Sequence, residues 1–240
     1  MESLGIGELL WQQGKRQILG LLLAHPCTLC QRSTPAWLCP DCQQQVYQCQ
    51  LSDPLDRSHA GLPVISWGGY GGSLKQLIGA FKYGGQPGVA QWLGTELGQL
   101  WLKHQKLVGK KATRAIALVP IPLHPTRRRQ RGFNQAELLA RWVARVGQVP
   151  LVEQGLLRVQ ETQPQHRLNR QDRQTNVAQA FQVHPDYGHQ LQQTTVWLVD
   201  DIFTTGATAQ AAAQTLRRSG VSVAGICTVA RALPWSADPA

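Results

Sequence analysis

Two adjacent acids and a turn of hydroxyl residues form the stretch with the clearest chemistry in this chain. Asp200 and Asp201 come directly after the apolar run at 196–199, which is typical of a strand buried on both faces. After Ile202 and Phe203, the turn continues with Thr204, Thr205, Gly206, Ala207 and Thr208. The alanine-rich stretch at 207–218 then predicts a helix.

This order of elements suits an anionic ligand. The first N–H groups of a helix and a nearby glycine bind phosphate well, and threonine hydroxyls add donors. Carboxylates beside a phosphate would repel it, so Asp200 and Asp201 favour sugar hydroxyls or Mg²⁺. We therefore predict a ligand of the ribose 5-phosphate class at the carboxyl end of a parallel sheet. An ordinary strand, turn and capped helix is the alternative.

Four cysteines form two closely spaced pairs: Cys27, Cys30, Cys39 and Cys42. Two C-x2-C pairs supply four thiolates on two tight turns, the ligand set of a closed tetrahedral Zn²⁺ site. Such a site is structural rather than catalytic because it has no open position. Redox dithiols or unrelated thiols are the alternative. Cys49 is the nearest spare thiol, and His25 is a substitute ligand by its position.

A basic segment follows the strand predicted at 114–122. It holds four arginines within five positions: Arg127, Arg128, Arg129 and Arg131. We predict a loop that borders the same crevice as Asp200, because ligands of open α/β sheets bind outside the strands' carboxyl ends. Arg127, Arg128 and Arg131 are predicted to contact pyrophosphate or nucleic acid, and a solvated basic loop is the alternative. Asn134 and Glu137 then predict the capped start of a helix.

Two further cationic regions surround this predicted site. The polar segment 156–181 predicts a mobile loop between two strands that closes over an anionic ligand, with Arg173 as a ligand contact. Lys75 and Lys82 lie on one face of a helix predicted before Gly84. We interpret these two lysines as the solvated edge of that helix.

The composition bounds the class of protein. With 240 residues and 42% hydrophobic residues, the chain can form one good core with a small appendage. The formal charge of +10 favours polyanionic partners, either nucleic acid or phosphorylated small molecules. No apolar run reaches the length of a membrane span, and the first residues do not form a good signal peptide. We therefore expect a cytoplasmic protein.

Together these motifs resemble the ComF family of type I phosphoribosyltransferase-like proteins, which is associated with competence and DNA uptake. The resemblance depends on the two cysteine pairs and on five further stretches. These are FKYGG at 81–85, VPIPLHPTRRRQRGFNQA at 119–136, LLRVQETQPQ at 156–165, RQTNVAQAF at 173–181 and WLVDDIFTTGAT at 197–208. The resemblance implies an α/β fold of the type I phosphoribosyltransferase kind, a parallel sheet flanked by helices, with a small N-terminal four-cysteine zinc module.

Residue patterns along the chain, together with this resemblance, predict a division into domains. In order, these are an amphipathic helix at 1–24, a zinc-binding module at 25–50, a linker at 51–63, a phosphoribosyltransferase-like domain at 64–233 and a tail at 234–240.

The resemblance further implies phosphoribosyl pyrophosphate as the ligand, bound with Mg²⁺. Asp200 and Asp201 would face the ribose hydroxyls, and residues 204–208 would wrap the 5-phosphate. The segment after Pro122 would be the pyrophosphate loop, and residues 158–176 the flexible hood. The resemblance does not establish turnover of a substrate, and His124 and His166 are candidate bases by location alone.

Two other functions stay open on sequence grounds. The positive charge, the arginine segments and the cysteine module also suit a non-catalytic accessory that binds single-stranded DNA. The resemblance to the ComF family implies DNA-uptake proteins as its further partners. A third hypothesis is a protein-interaction adaptor that docks through residues 1–50.

Overall fold

The computed structural model describes residues 25–59, 61–108, 114–160 and 180–233. The predicted helix at 1–24, the predicted tail at 234–240 and most of the predicted hood lie outside these ranges, as do Arg173 and His166. Within the described ranges, no helix is both long enough and apolar enough to cross a lipid bilayer.

The described residues form nine strands and seven α-helices. The strands are β1 (His25–Pro26), β2 (Ser33–Thr34), β3 (Leu55–Asp56), β4 (Val64–Gly69), β5 (Ala115–Pro120), β6 (Leu156–Arg158), β7 (Phe181–Val183), β8 (Thr194–Phe203) and β9 (Ser222–Arg231). The helices are α1 (Pro40–Tyr47), α2 (Gly72–Tyr83), α3 (Val89–Val108), α4 (Pro125–Arg131), α5 (Gln135–Gly147), α6 (Gly188–Gln192) and α7 (Ala207–Arg218). A 3₁₀ turn (Pro185–Tyr187) precedes α6.

A five-stranded sheet lies at the centre of the fold, in the order β3-β4-β9-β8-β5. Strands β4, β9, β8 and β5 run parallel, and the edge strand β3 is antiparallel to β4. The residues at 196–199 are each at most 1% exposed, as expected for a parallel strand covered on both faces. The predicted α/β class with a parallel sheet flanked by helices is confirmed.

The sheet separates two apolar layers. On one face, α2, α3 and α5 pack over Trp67, Trp197 and Val199. On the other face, α7 packs over Val196 and Leu198. This alternation along β8 follows from the two-residue period of a strand, which points successive side chains to opposite faces.

Helices α3 and α5 approach each other closely. A Cβ atom on Gly94 would lie 2.6 Å from Cβ of Trp142, so this contact requires a glycine. Asn134 fixes the start of α5: its Oδ1 accepts from the N–H of Ala136, and its Nδ2 donates to the carbonyl of Ile121. The start of α5 is thereby tied to the end of β5, at the carboxyl edge of the sheet.

The cysteine-bearing segment packs directly on the sheet. Cys27, Cys39, Cys42 and Val46 belong to the same apolar cluster as Trp67. Residues 51–63, predicted as a linker, include β3, which pairs with β4. The predicted module and the predicted α/β domain therefore share one core.

Residues Pro125–Arg131 of the arginine-bearing segment form a helix, so the prediction of a loop after Pro122 is wrong for these residues. Pro125 begins α4, and the side chain of His124 caps the helix by accepting from the N–H of Thr126 at 3.4 Å. Gly132 ends it with a φ of 83°. Proline at the first helical position and glycine at the end are favourable, and both are present in the sequence.

Candidate functional site

The acids lie where β8 extends beyond its neighbour β5. Pro120, the last residue of β5, pairs with Val199. From Asp200 to Phe203, β8 pairs with β9 but not with β5. One side of this segment is therefore open at the carboxyl edge of the sheet, where open α/β sheets bind their ligands.

Asp200 and Asp201 have different surroundings although they are adjacent. Asp200 lines a recess beside α7, whereas Asp201 contacts α2 on the other face of the sheet. The backbone N–H of Asp201 donates to Oδ1 of Asp200 at 2.8 Å. Burial and the nearby Asp201 carboxylate raise the pKa of Asp200 to about 7. Two carboxylates in this position can accept hydrogen bonds from a ligand with hydroxyl groups.

Lys82 brings a positive charge to the acids. Its Nζ atom lies 2.8 Å from Oδ2 of Asp201, and the two side chains are 17% and 11% exposed. The prediction that Lys82 belongs to a solvated helix edge is therefore wrong, whereas Lys75 is exposed. Phe81 stacks on Phe133 with the ring centroids 5.7 Å apart, which holds the end of α2 beside the start of α5.

The hydroxyl turn leads into α7 without a side-chain cap. Gly206 is the N-cap residue, with a φ of 76° that favours glycine. The N–H of Ala207 reaches Oγ1 of Thr205 at 3.5 Å, which is a long contact. The first turn of α7 therefore offers N–H groups and the positive end of its dipole to an anion.

A small recess of about 40 Å³ lies beside this turn. Its wall consists of Asp200, Ile202, Phe203, Thr204, Gly206, Ala207, Thr208 and Ala209. The structure therefore brings together Asp200 and four of the five predicted phosphate contacts. The fifth, Thr205, is exposed next to this wall.

A larger cleft opens between the end of α2 and α4, with a volume of about 530 Å³. Its described lining is Lys82, Tyr83, Gly85, Arg127, Gln130 and Arg131. This lining contains three cationic side chains and no carboxylate, so the cleft favours anions. We call it the cationic cleft. It adjoins the acid pair because Lys82 contacts Asp201 and also lines the cleft.

Arg128 turns toward α5 instead of the cationic cleft. Its Nη2 atom lies 3.2 Å from Oε2 of Glu137, and Oε1 of Glu137 pairs with Arg141 at 2.7 Å. Glu137 thus holds two guanidinium groups. Of the three predicted arginine contacts in this segment, Arg127 and Arg131 line the cleft and Arg128 does not.

Strands β6 and β7 lie at the two ends of the predicted hood. They pair antiparallel, with Arg158 opposite Phe181. The positive charge of Arg158 acts on Asp200 and opposes the rise of its pKa. Arg158 is thus a further cation near the acids, and no local sequence pattern distinguishes it from the other loop arginines. The predicted contact Arg173 lies outside the described residues.

The four predicted cysteines come together in space. The Sγ atoms of Cys27, Cys30, Cys39 and Cys42 all lie within 4.8 Å of one another. The Sγ atoms of Cys30 and Cys39 are 3.6 Å apart, close to the ~3.8 Å expected for tetrahedral Zn–S bonds of about 2.3 Å. All four thiols are free of disulfide bonds. The cluster therefore fits a tetrahedral metal ion such as Zn²⁺.

Arg32 favours the thiolate form of Cys30, whereas burial raises the pKa of Cys42. Arg32 donates from Nε to Sγ of Cys30 at 3.4 Å, and its hydrogen bonds lower the pKa of Cys30 to about 6. His25 and Cys49, the substitute ligands considered from the sequence, are not part of the four-sulfur group. Cys49 instead directs its Sγ to the carbonyl of Gly71, 3.7 Å away.

The acid pair alone offers few oxygen ligands for Mg²⁺. Proteins commonly bind Mg²⁺ through one or two carboxylates together with substrate phosphates. Asp201 already has a cationic partner in Lys82, and Asp200 lies on the other side of the strand. The two acids therefore do not form a preformed Mg²⁺ site. Asp200 is the residue that would hold Mg²⁺ beside a bound phosphate.

The fold and the site together define a class of protein. It is an α/β protein whose parallel sheet ends in an acid pair between an anion-favouring turn and a cationic cleft, with a four-thiol cluster packed on the sheet.

No family model matches the chain. Individual relatives confirm the resemblance to the ComF family that the motifs indicated.

These relatives match across most of the chain. Competence protein F of Haemophilus influenzae is 29% identical over 213 residues, which cover 86% of this chain and 90% of the relative. DNA utilization protein YhgH of Escherichia coli K12 is 28% identical over 214 residues, which cover 86% and 90%. Competence protein ComFC of Bacillus subtilis is 27% identical over 209 residues, which cover 85% of this chain and 77% of the relative.

Proposed function

We propose that the chain is a type I phosphoribosyltransferase-like protein that binds phosphoribosyl pyrophosphate, or a related ribose 5-phosphate ligand, together with Mg²⁺. One observation carries this proposal. The acid pair and the uncapped N-terminus of α7 are joined by one short turn at the open edge of the sheet. The carboxylates can accept hydrogen bonds from hydroxyl groups, and the N-terminus of α7 can bind an anion. A phosphorylated pentose carries both hydroxyl groups and an anionic phosphate.

Each part of the site has a role in this proposal. Asp200 and Asp201 accept hydrogen bonds from the ribose hydroxyls, and the turn at 204–208 holds the 5-phosphate through N–H and hydroxyl donors. Arg127 and Arg131 bind the pyrophosphate from the cationic cleft. When bound, Mg²⁺ neutralises part of the charge on the phosphates.

Transfer of the phosphoribosyl group would be a separate step, of the glycosyltransferase class. The bond from C1 of the ribose to pyrophosphate breaks, and the bonding electrons leave with pyrophosphate. The ring then carries positive charge, which the carboxylates of Asp200 and Asp201 stabilise until an acceptor bonds to C1. This step requires no nucleophilic side chain. His124 is not assigned as a base, because its ring caps α4.

Isothermal titration calorimetry of phosphoribosyl pyrophosphate with Mg²⁺ tests the binding proposal. Replacing both acids, Asp200→Asn with Asp201→Asn, should weaken binding at least tenfold, since each hydrogen bond to a charged group contributes about 1.5–3 kcal/mol. Lys75→Met is the matched control, because Lys75 is exposed on α2 and outside the described lining of the cleft. Absence of binding by the wild type in the presence of Mg²⁺ would overturn the proposal.

The cysteine cluster is part of the same proposal, with a structural Zn²⁺ bound by Cys27, Cys30, Cys39 and Cys42. Its support is the shared core: three of these cysteines are buried in the apolar cluster that also covers the sheet. A closed four-thiolate site leaves no position for substrate, so its contribution is to folding.

Binding of single-stranded DNA is the second candidate function. The observation that favours it is Tyr83, which is 80% exposed at the cationic cleft, with the guanidinium of Arg131 5.1 Å from its ring centre. An exposed aromatic ring in a positively charged groove is a common platform for stacking bases of a single strand. The relatives named for competence and DNA utilization point in the same direction.

Fluorescence anisotropy with a labelled single-stranded oligonucleotide tests this second candidate. Tyr83→Ala should weaken binding about tenfold, because base stacking on an aromatic ring contributes about 1–3 kcal/mol. Tyr70→Ala is the matched control, since Lys75 lies 5.9 Å from the Tyr70 ring centre outside the described cleft lining. Equal losses in the two variants, or binding that does not weaken as salt rises, would contradict it.

The names of the relatives also support a role in competence or DNA utilization. DNA-uptake proteins are the protein partners in this proposal. We place the protein in the cytoplasm for this role. The reducing conditions there would keep the four clustered thiols available for a metal.

A further inference from the structure

Lys82 belongs to two parts of the site at once. Its ammonium group lies 2.8 Å from Oδ2 of Asp201, and its side chain also lines the cationic cleft with Arg127 and Arg131. The residue is therefore placed between the group that would receive ribose hydroxyls and the group that would receive pyrophosphate. This inference rests on the proposed function of the site.

The ion pair has an electrostatic consequence for ligand binding. Asp201 and Lys82 are both largely buried, so their attraction is screened less than that of a surface pair. A ribose hydroxyl donates only a neutral hydrogen bond and cannot replace the charge that Lys82 provides. A ligand that carries an anion on the cleft side can do so, because it gives Lys82 a new partner.

An anion bound in the cationic cleft would be within the surroundings of Lys82, because Lys82 lines this cleft. Among the described residues that line the cleft there are three cations and no carboxylate, so an anion bound there meets no nearby acid on the wall. Tyr83 and Gly85, which follow Lys82 directly, line the same cleft. A lysine side chain has a flexible four-carbon stem, so a change of partner requires rotation of the side chain rather than movement of α2.

We infer that Lys82 is an exchangeable counterion: it neutralises Asp201 in the free protein and binds the pyrophosphate group of the ligand in the complex, which frees Asp201 for the ribose. Lys82 would therefore contribute to ligand specificity. It favours compounds that carry both the pentose and the pyrophosphate, and it disfavours ribose 5-phosphate, which leaves the lysine without an anion on the cleft side.

A double-mutant cycle with inorganic pyrophosphate, without added divalent metal, tests the exchange. In the wild type, Asp201 competes with pyrophosphate for Lys82. Asp201→Asn removes this competitor and should strengthen pyrophosphate binding about fivefold, which is within the usual range of coupling between contacting residues. In a Lys82→Met background the same Asp201→Asn change should strengthen binding less than twofold, because no lysine is left to release.

The cycle separates exchange from a general effect of charge. If removing the charge of Asp201 strengthens pyrophosphate binding equally in both backgrounds, Lys82 does not change partners and the inference is wrong. Absence of measurable pyrophosphate binding by both the wild type and the Asp201→Asn variant would also overturn it. Lys82→Arg keeps the charge and should retain the coupling, whereas Lys75→Met should leave pyrophosphate binding unchanged. Far-ultraviolet circular dichroism of each variant confirms that the fold is intact.

A comparison of ligands distinguishes this inference from the proposed function itself. The wild type should bind phosphoribosyl pyrophosphate with Mg²⁺ more tightly than ribose 5-phosphate, and Lys82→Met should reduce this preference about fivefold. If the wild type binds phosphoribosyl pyrophosphate but Lys82→Met leaves the preference unchanged, the proposed function stands and the inference fails. If the wild type binds pyrophosphate with the coupling described above but does not bind phosphoribosyl pyrophosphate, the proposed function fails instead.

Discussion

Phe203 and Gly206 are packed so closely that a Cβ atom on Gly206 would lie 2.5 Å from Cζ of the Phe203 ring. Phe203 is buried at the end of β8, and Gly206 begins α7. The aromatic ring therefore packs directly against the backbone of Gly206. This contact fixes the path from the acid pair to the first turn of α7.

Replacement of Gly206 should destabilise the fold. Gly206→Ala places an L residue at a φ of 76° and a methyl group against Phe203, and we expect a loss of about 1–3 kcal/mol in the free energy of unfolding. Urea denaturation measures this loss. Gly79→Ala in α2 is the control, because a Cβ there has open space, and it should be neutral or stabilising by up to about 1 kcal/mol. Equal stability of the wild type and Gly206→Ala would show that neither the φ of residue 206 nor the contact with Phe203 excludes a side chain there.

Ionisation of Asp200 should make stability depend on pH. Its pKa in the folded protein is about 7, above the ~3.9 of an unfolded aspartate, so the folded state binds the proton more tightly. Between about pH 4 and pH 7 this group therefore makes the free energy of unfolding fall as the pH rises, and above pH 7 its effect is constant.

Asp200→Asn isolates this contribution. The variant should lose part of the decline between pH 4 and pH 7 and should gain stability relative to wild type at pH 8. Urea denaturation at pH 5 and pH 8 measures both values. A parallel pH dependence in wild type and variant would show that Asp200 ionises normally.

The cysteine cluster should bind one zinc ion per chain, measured by elemental analysis of the purified protein. Cys42→Ser should abolish zinc binding and lower the melting temperature, because Cys42 is buried in the core that the cluster shares with the sheet. Cys49→Ser is the control and should retain the metal, since Cys49 lies outside the four-sulfur group. A metal-free wild type with titratable thiols at all four positions would exclude this site.

The contacts of Glu137 should contribute to stability. Its side chain is 11% exposed and pairs with both Arg128 and Arg141. Glu137→Gln removes the charge but keeps the size of the side chain, and we expect a loss of about 1–3 kcal/mol in the free energy of unfolding. Glu153→Gln should cost less, because Glu153 is 36% exposed and pairs with Arg141. A larger loss in Glu153→Gln would show that Glu137 is not the centre of this network.

Much of the site was predictable because its parts are local in sequence. The acids, the hydroxyl turn and the start of α7 follow one another, and local order is sufficient to place them at one end of a buried strand. The cysteine pairs are also local, and two tight turns bring their sulfurs together with little help from the rest of the chain.

The cationic side of the site was less predictable. Arg127, Arg128 and Arg131 are close in sequence and look equivalent, but a helix forms where a loop was expected. The helix directs Arg127 and Arg131 to the cleft, and Arg128 to Glu137. Helical geometry and the position of one buried acid on α5 made this distinction, and neither is encoded in the arginine spacing itself.

The sequence by itself determined the α/β class, the acid-bearing strand end, the hydroxyl turn and the four-thiol cluster, because each depends on residue types at short, fixed spacings. Only the tertiary structure decided that Lys82 meets Asp201, that the cysteine segment shares the core of the sheet, and that the acids adjoin a cationic cleft. These relationships join residues far apart in the chain. They depend on how helices α2, α4 and α5 pack at the carboxyl edge of the sheet, and side-chain packing between distant segments has no local pattern in the sequence.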